Sequence, residues 1–484
     1  MKKYFLILMA FLSLHIANSC SERELVLFPP TEDPIDEIKT EQQLQQLLNS
    51  AYLGISSASA LGTEVTVFGE ILGDKIFNAG GGSYLETYNM NYSAYQNQFG
   101  FYGTMYGVIL NANLVLNNTT VNPNENVNRI KAEAHILRAY AYYILVSYYS
   151  PSPTSGVNQE YGVPLVLGNY DVNLKEPRAS VAQIYNQIIS DLNAGIAAAP
   201  AEPDTKVLLG KDAGKLLLSR VYLTRRASGD AQLALNLANE LIASAPAGAF
   251  KPVTGAPVVN TAYVNYFAGM SDSVAEGQPE TIWELDINTE TLNATGIGSN
   301  VSLPCFFSKQ DSRRCLLANQ TFYNSIASTD VRKGLFSNTA PAVPTGSNAW
   351  WISKYPRLTE RGNYKRNIKV LRYSEAYLNR IEALHLTGQD PQALAELNAF
   401  SASRKGMVYT GANILNDILE ERSKELFGEG QRFLDLKRYN LPIVKPSNCA
   451  MNCDVQPGSK LYVLPITQGS INNNPNLTQY PGYL

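Results

Sequence analysis

The sequence predicts a mostly α-helical protein assembled from pairs of helices. Two observations lead there. Apolar residues recur three and four positions apart in segment after segment, which places them on one face of a helix. Short turns marked by Gly or Pro separate neighbouring segments, as at Gly229-Asp230 and at Gly388 with Pro391. With 484 residues the chain can bury a large core, so neither a metal nor a cross-link is required to hold it.

The first residues are a targeting signal rather than a fold element. Lys2 and Lys3 precede an apolar run from Tyr4 to Leu14, well short of the roughly 20 residues that cross a bilayer, so residues 1–19 read as a signal peptide. The following Ile16-Ala17-Asn18-Ser19-Cys20 resembles a lipoprotein processing site, with small residues before a cysteine that becomes the lipidated first residue. Ala17 stands where leucine is commonest, and cleavage elsewhere, leaving Cys20 a plain thiol, is the alternative. Each buried methylene of an acyl chain contributes about 0.8 kcal/mol, so several chains would hold the protein on a membrane. Residues 20–34 are then a Pro-containing tether, and no later segment reads as membrane-spanning.

The helices follow in order. Thr40 to Ile55 carries Leu44, Leu47, Leu48 and Tyr52 on one face; residues 99–118 form the next; Arg129 to Tyr149 has a stripe that includes Ile130, Ala134, Leu137, Ala141 and Leu145. Val181 to Ala198, Lys211 to Arg225 and Asp230 to Ala243 come next, then 371–387 and 392–403. Antiparallel pairs with small residues at the contacts have the form of tetratricopeptide-like repeats, although a period near about 34 residues is not clean. Between 245 and 368 the texture changes to Gly, Pro, Ser, Thr and Asn with short strands such as Thr281 to Ile287. The segment 65–98 is similar, with Gly80-Gly81-Gly82 ahead of Tyr84, Tyr88, Tyr92 and Tyr95. Loops this long inside a compact protein usually serve a purpose, and both are expected on one side of the scaffold. The organisation is a helical region over 35–250 with an inserted loop at 65–98, a loop-rich segment over 251–368 and a helical region over 369–484.

Composition excludes some functions and favours another. The net charge is -3 with both signs spread along the chain, so no basic face for nucleic acid is expected. No nucleophile elbow, phosphate loop or His-Glu zinc motif occurs, and His135 and His385 sit in amphipathic helical runs as packing residues, so no catalytic residue is assigned. A carboxylate pair of the glycosidase kind depends on spatial separation and is unmarked in the sequence. The dense cluster from Glu420 to Arg438 is read as structural, with Arg422 and Glu425 three apart on a helix and able to pair. Asp286-x-Asn288-x-Glu290 sets oxygens at alternate positions, like the start of a calcium loop without the rest. Cys305, Cys315, Cys449 and Cys453 remain after Cys20, enough for two disulfides; pairing within each close couple is the simplest of three connectivities, and the spacings do not follow common zinc patterns.

Tyrosine is abundant, 29 residues against 3 tryptophans. A neutral sugar needs flat aromatic platforms with amide or carboxylate partners at their edges. The loop with Tyr84, Tyr88 and Tyr92, interleaved with Asp74, Asn78, Asn89 and Asn91, has that chemistry, and Trp350-Trp351 is the other candidate. If the latter stretch is extended, the two indoles point to opposite faces and only one meets a ligand.

Several motifs in order resemble one family. They are Ala132-Glu133-Ala134-His135-Ile136-Leu137-Arg138-Ala139-Tyr140 followed by Gly162-Val163-Pro164; Arg372-Tyr373-Ser374-Glu375-Ala376-Tyr377-Leu378 with Glu382-Ala383; Glu421-Arg422-Ser423-Lys424-Glu425-Leu426; Glu429-Gly430-Gln431-Arg432-Phe433; and the closing Leu464-Pro465-Ile466, Asn474-Pro475 and Gln479-Tyr480-Pro481-Gly482-Tyr483. They resemble the SusD/RagB family of lipid-anchored nutrient-binding proteins of Bacteroidetes-type outer membranes, over nearly the whole chain after Cys20. The resemblance implies a tetratricopeptide-like scaffold, oligosaccharide captured without conversion and without a cofactor, and delivery to a SusC-like TonB-dependent barrel. It places the protein on the outer membrane, facing the exterior; Glu22 and Glu24, interrupted by Arg23, weakly resemble the acidic export signal. A RagB-like peptide cargo is the alternative, and a surface-anchored hydrolase is the reading from another class.

Overall fold

Each segment with helical spacing folds as a helix and buries the stripe its sequence marks. The structure, a computed structural model, describes residues 38–483 apart from 80–82, 96–99, 170, 172, 253–255, 299, 310–312, 314, 339–348, 359–363 and 447–448, with the side chains of 289 and 290 also outside the description. The expected signal peptide, Cys20 and tether lie outside the described residues. The helices of the first half are α1 (Glu41–Ser56), α2 (Glu64–Ile71), α3 (Leu85–Tyr88), α4 (Phe101–Leu116), α5 (Glu125–Tyr149), α6 (Val181–Ala198), α7 (Lys211–Arg225) and α8 (Asp230–Ser244). Those of the second half are α9 (Asn260–Ala268), α10 (Asp272–Ala275), α11 (Thr289–Ala294), α12 (Leu303–Phe307), α13 (Gln320–Ser325), α14 (Tyr373–Leu386), α15 (Asp390–Ser403), α16 (Ile414–Glu425), α17 (Arg432–Arg438) and α18 (Gln468–Asn473).

The long helices stack in sequence. α1 packs on α4, α4 on α5, α5 on α6, α6 on α7 and α7 on α8; α14 then continues the stack on α8 and carries α15 and α16. Local chemistry sets the boundaries. The Asn124 side chain accepts from the Val127 amide to start α5, and Ser180 with Gln183 forms a capping box at α6. Small residues let the helices approach: a Cβ on Gly195 would lie 2.6 Å from Ile136 Cγ1, and one on Gly214 would lie 2.7 Å from Ile196 Cγ1. The C-terminal helices close over Tyr377, Leu378, Ile381, Leu397, Phe400 and Ile418.

Because α14 lies on α8, the loop-rich segment between them is an excursion from a continuous helix stack. Its described residues form short helices and strands. Strands β1 (Ile76–Asn78), β2 (Thr281–Leu285), β3 (Leu316–Asn319), β4 (Phe336–Ser337), β5 (Ala349–Ile352), β6 (Ile368–Arg372), β7 (Ile443–Val444) and β8 (Asp454–Val455) make three small antiparallel sheets, in orders β1-β3-β5-β4, β2-β6 and β7-β8. The four-stranded sheet brings the 65–98 segment together with the 251–368 segment. Expected loop structure from residue 65 onward is corrected by α2, whose Val65, Val67, Phe68 and Ile71 are buried. Its run is too short and too β-branched to show a helical period.

Other expectations are settled locally. Cys449 and Cys453 form a disulfide, whereas Cys305 and Cys315 are buried and not disulfide-bonded, so the second expected bridge is corrected. His135 and His385 each meet a carboxylate, Asp191 at 2.8 Å and Asp390 at 2.7 Å. Asn288 Oδ1 accepts from the Thr291 backbone amide at 3.0 Å and so caps α11, while the Asp286 carboxylate accepts from the Asn288 side-chain amide at 2.9 Å.

Three buried lysines give the fold a pH dependence. Burial pulls the ammonium groups of Lys437 and Lys445 down to about 7 and that of Lys369 to about 8. Lys437 donates to the Ser147 and Ser150 carbonyls at the end of α5, at 2.6 and 2.7 Å. An unfolded lysine titrates near about 10.4, so above about pH 7 the unfolded chain holds more protons than the folded one and stability rises with pH. Urea midpoints should increase between pH 7 and 8.5, less steeply in Lys437→Met. A wild-type midpoint that falls over that window contradicts the assignment.

Candidate ligand-binding site

The four-stranded sheet exposes its aromatic chemistry at β5. Alternation along β5 turns Trp351 inward, where it is 3% exposed and packs with Phe77, Ala79, Leu317 and Ala349. Trp350 consequently points the other way and stays half-buried. Its indole lies parallel to the Tyr323 ring, with centroids 3.4 Å apart and planes 12° from parallel. The indole N–H donates to Gln320 Oε1 at 3.1 Å, which fixes the ring's rotation. Lys333 Nζ sits 4.4 Å from the Tyr323 centroid, and Phe336 meets the same ring edge-on at 5.8 Å. With Tyr323 covered, the face of Trp350 turned away from it is the platform that a ligand can use.

The platform rests on the densest charge network of the protein. Arg332, just before β4, is bound by Asp330 at 2.7 Å and Glu421 at 2.8 Å. Lys354, just after β5, donates to the Glu425 carbonyl at 2.8 Å and pairs with Glu429. Glu425 itself is fully buried among Arg372 at 2.9 Å, Arg404 at 3.1 Å and Arg332 at 3.4 Å. Burial pushes its carboxyl upward, but the three guanidinium groups outweigh it and hold the group well below the carboxylate range. The structural reading of the Glu420–Arg438 cluster agrees with this, but the partners differ from those expected: Arg422 reaches Asp435 at 3.2 Å and Asn379 at 2.8 Å rather than Glu425. Spatial neighbours from other helices outcompete the local one.

The expected site residues divide by burial. Asp74 accepts two bonds from Arg432, at 2.6 and 2.8 Å; burial opposes ionisation, yet Arg432 and Lys75 bring its carboxyl down to about 2. Asn78 is 3% exposed and donates to the Ser83 carbonyl at 3.2 Å. Tyr88 is buried beneath Lys445 Nζ, 4.7 Å from the ring, and Tyr92 is buried with its hydroxyl on the Leu461 carbonyl. Asn78, Tyr88, Tyr92 and Trp351 are thus buried and Asp74 is engaged by Arg432, so among the expected residues Tyr84 and Trp350 are the partly exposed aromatics. Tyr84 is half-buried, edge-on to Phe306 at 5.0 Å. Tyr95 is 72% exposed and is the aromatic which that loop offers to solvent. Tyr323, Gln320, Lys333 and Phe336 were missed by sequence reasoning. The doublet Phe322-Tyr323 in a polar stretch was the available signal, but nothing in it indicates stacking on Trp350.

The stacked-helix body with its small sheets has the fold of SusD superfamily proteins. The chain belongs to the SusD/RagB family. Residues 28–223 match the family described as "Starch-binding associating with outer membrane", and residues 319–483 match the SusD family. A relative from Formosa agariphila, named SusD-like protein P2, is 25% identical over 93% of this chain and 94% of its own. A SusD superfamily protein from Bacteroides thetaiotaomicron superposes with a TM-score of 0.78 at 25% identity, covering 91% of this chain and 100% of that one. A protein described as a putative sugar binding protein, from Bacteroides vulgatus, superposes at 0.80 with 24% identity, covering 92% and 99%. Surface glycan-binding protein A from Bacteroides uniformis superposes at 0.71 with 20% identity, covering 91% and 99%.

Proposed function

We propose that the protein is a cell-surface glycan-binding lipoprotein that captures oligosaccharides and hands them unchanged to a SusC-like TonB-dependent barrel. Lipidated Cys20 would hold it on the outer membrane, facing outward, with no cofactor and no nucleic-acid partner in the cycle. The half-exposed Trp350 on its Tyr323 backing carries this reading: a rigid aromatic face bordered by Gln320 is what the apolar face of a sugar ring stacks on. Family membership and the sugar- and glycan-binding descriptions of the structural relatives support it.

Calorimetry of the chain from residue 20 against a panel of plant and algal oligosaccharides tests the proposal. Trp350→Ala should weaken the retained glycan by about tenfold or more, about 1.4 kcal/mol, with little change in melting. Trp351→Ala should do the reverse, lowering stability by about 3–5 kcal/mol through the cavity it leaves. If no glycan binds, or if peptides alone do, the sugar assignment fails.

A further inference from the structure

A cavity of about 470 Å³ opens between α4, the 164–176 segment and α18. No residue lining it belongs to the four-stranded sheet or to α13. The volume is within the range of small-molecule sites, roughly 300–1,000 Å³.

Its walls are held by the protein itself. Tyr106 donates its hydroxyl to the Pro164 carbonyl at 2.9 Å, and Asn113 donates to the Val166 and Gly168 carbonyls at 3.0 Å. On the opposite side Asn474 and Asn476 donate to the Glu176 and Lys175 carbonyls at 2.8 and 2.7 Å. The cavity therefore exists before any ligand arrives. Tyr106, Leu110 and Leu477 give it an aromatic and aliphatic lining, the exposed Leu174 borders it, and the exposed Asn169 and Asp171 stand at the rim. Each rim side chain spends one oxygen locally: Asn169 Oδ1 accepts from Asn117 at 3.2 Å and Asp171 Oδ1 from the Asn173 amide at 2.8 Å. Among the described residues the Asn169 amide hydrogens and Asp171 Oδ2 have no further partner, and these can meet hydroxyl groups.

Gly107 adds an independent observation. It lies inside α4, where glycine costs about 0.5–1 kcal/mol relative to alanine. An added Cβ would meet nothing within 4 Å, as at the exposed Gly103 of the same helix, and Gly107 is among the residues that line the cavity.

We propose that the cavity is a second carbohydrate-binding subsite, taking a short, hydroxyl-rich saccharide whose apolar face lies on that lining and whose hydroxyls meet Asn169 and Asp171. The ligand class rests on the glycan reading above; the existence of a second site does not depend on Trp350. A polymer held at both places would dissociate more slowly than from either alone.

The test is titration of the chain from residue 20 with trisaccharides cut from starch, xylan, β-glucan and galactan, followed by calorimetric stoichiometry. The expected result is two sites in wild type. Gly107→Leu, which fills the cavity with a better helix former, should remove one site without lowering the melting temperature. Trp350→Ala should remove the other. If Gly107→Leu does not fold, Asp171→Asn with Asn169→Ala, both at exposed positions, should weaken the same site about tenfold. A single site that Trp350→Ala abolishes and the cavity variants leave intact overturns the second subsite and keeps the Trp350 reading. A site lost in Gly107→Leu but untouched in Trp350→Ala keeps the subsite and removes the platform. Binding of no trisaccharide overturns both.

Discussion

Glu425→Gln should destabilise the protein by about 3–5 kcal/mol, the range for removing one partner of a buried ion pair. The substitution keeps the shape and removes the charge, so the loss reports electrostatics rather than a cavity. Arg372 and Arg404 are each fully buried and face Glu425; Arg372 retains Glu429 and Arg332 retains Asp330 and Glu421, so Arg404 loses most. Without the carboxylate, two guanidinium groups lose a partner that bulk water cannot replace. The effect should reach the ligand platform, because Arg332 and Lys354 flank β4 and β5 and both lean on this network. Urea unfolding followed by circular dichroism gives the stability change, and glycan titration at a temperature where the variant is still folded gives the effect on the site. A loss within about 1 kcal/mol, the scale of an exposed pair, would show that the three arginines find other partners and that the network is not held by Glu425.

Gly69→Ala is the second large effect. In α2 this glycine faces the turn at Gly430 so closely that an added Cβ would lie 2.0 Å from the Gly430 carbonyl oxygen and 2.6 Å from its Cα. Backbone, not a flexible side chain, is in the way. Gly430 is itself at φ +77, in the left-handed region that favours glycine, and its amide donates to Glu70 Oε1 at 2.9 Å. The methyl group must push the turn away, breaking that bond and dragging Glu429 off Arg372 and Lys354. Overpacking typically costs about 1–3 kcal/mol, and the coupled loss places this variant at about 3 kcal/mol or beyond. Gly103→Ala is the control: it lies in α4 with nothing within 4 Å of the added carbon, and should stabilise by about 0.5–1 kcal/mol. If both variants melt alike, the α2 contact is looser than the structure shows.

The two glycines show how far sequence reading reaches. Gly430 was visible within Glu429-Gly430-Gln431-Arg432, but its partner Gly69 lies in a stretch whose mixed β-branched residues carry no helical period. The same limit applies at the candidate site. The alternation that separates Trp350 from Trp351 follows from the strand pleat and needs no structure beyond the strand itself. That Tyr88 and Tyr92 are buried, and that Tyr323 backs Trp350, depends on segments remote in sequence: Lys445 over Tyr88, Leu461 beneath Tyr92, and α13 beside β5. Aromatic composition marked the right segments of the chain without distinguishing packing rings from displayed ones.

Periodicity and turn chemistry, which are local, determined the helix pairs and nearly all of the long helix boundaries from the sequence alone; ordered motifs determined the family. The structure decided what depends on contacts between distant residues: the continuation of the helix stack from α8 to α14, the choice of Asp435 over Glu425 as partner of Arg422, the disulfide at Cys449–Cys453, and the stacking of Tyr323 on Trp350. A period fixes which face of an element is apolar, because each residue's direction follows from its neighbours. It carries no information on which other element covers that face, since many pairings bury similar area and only close packing and charge pairing in three dimensions select one.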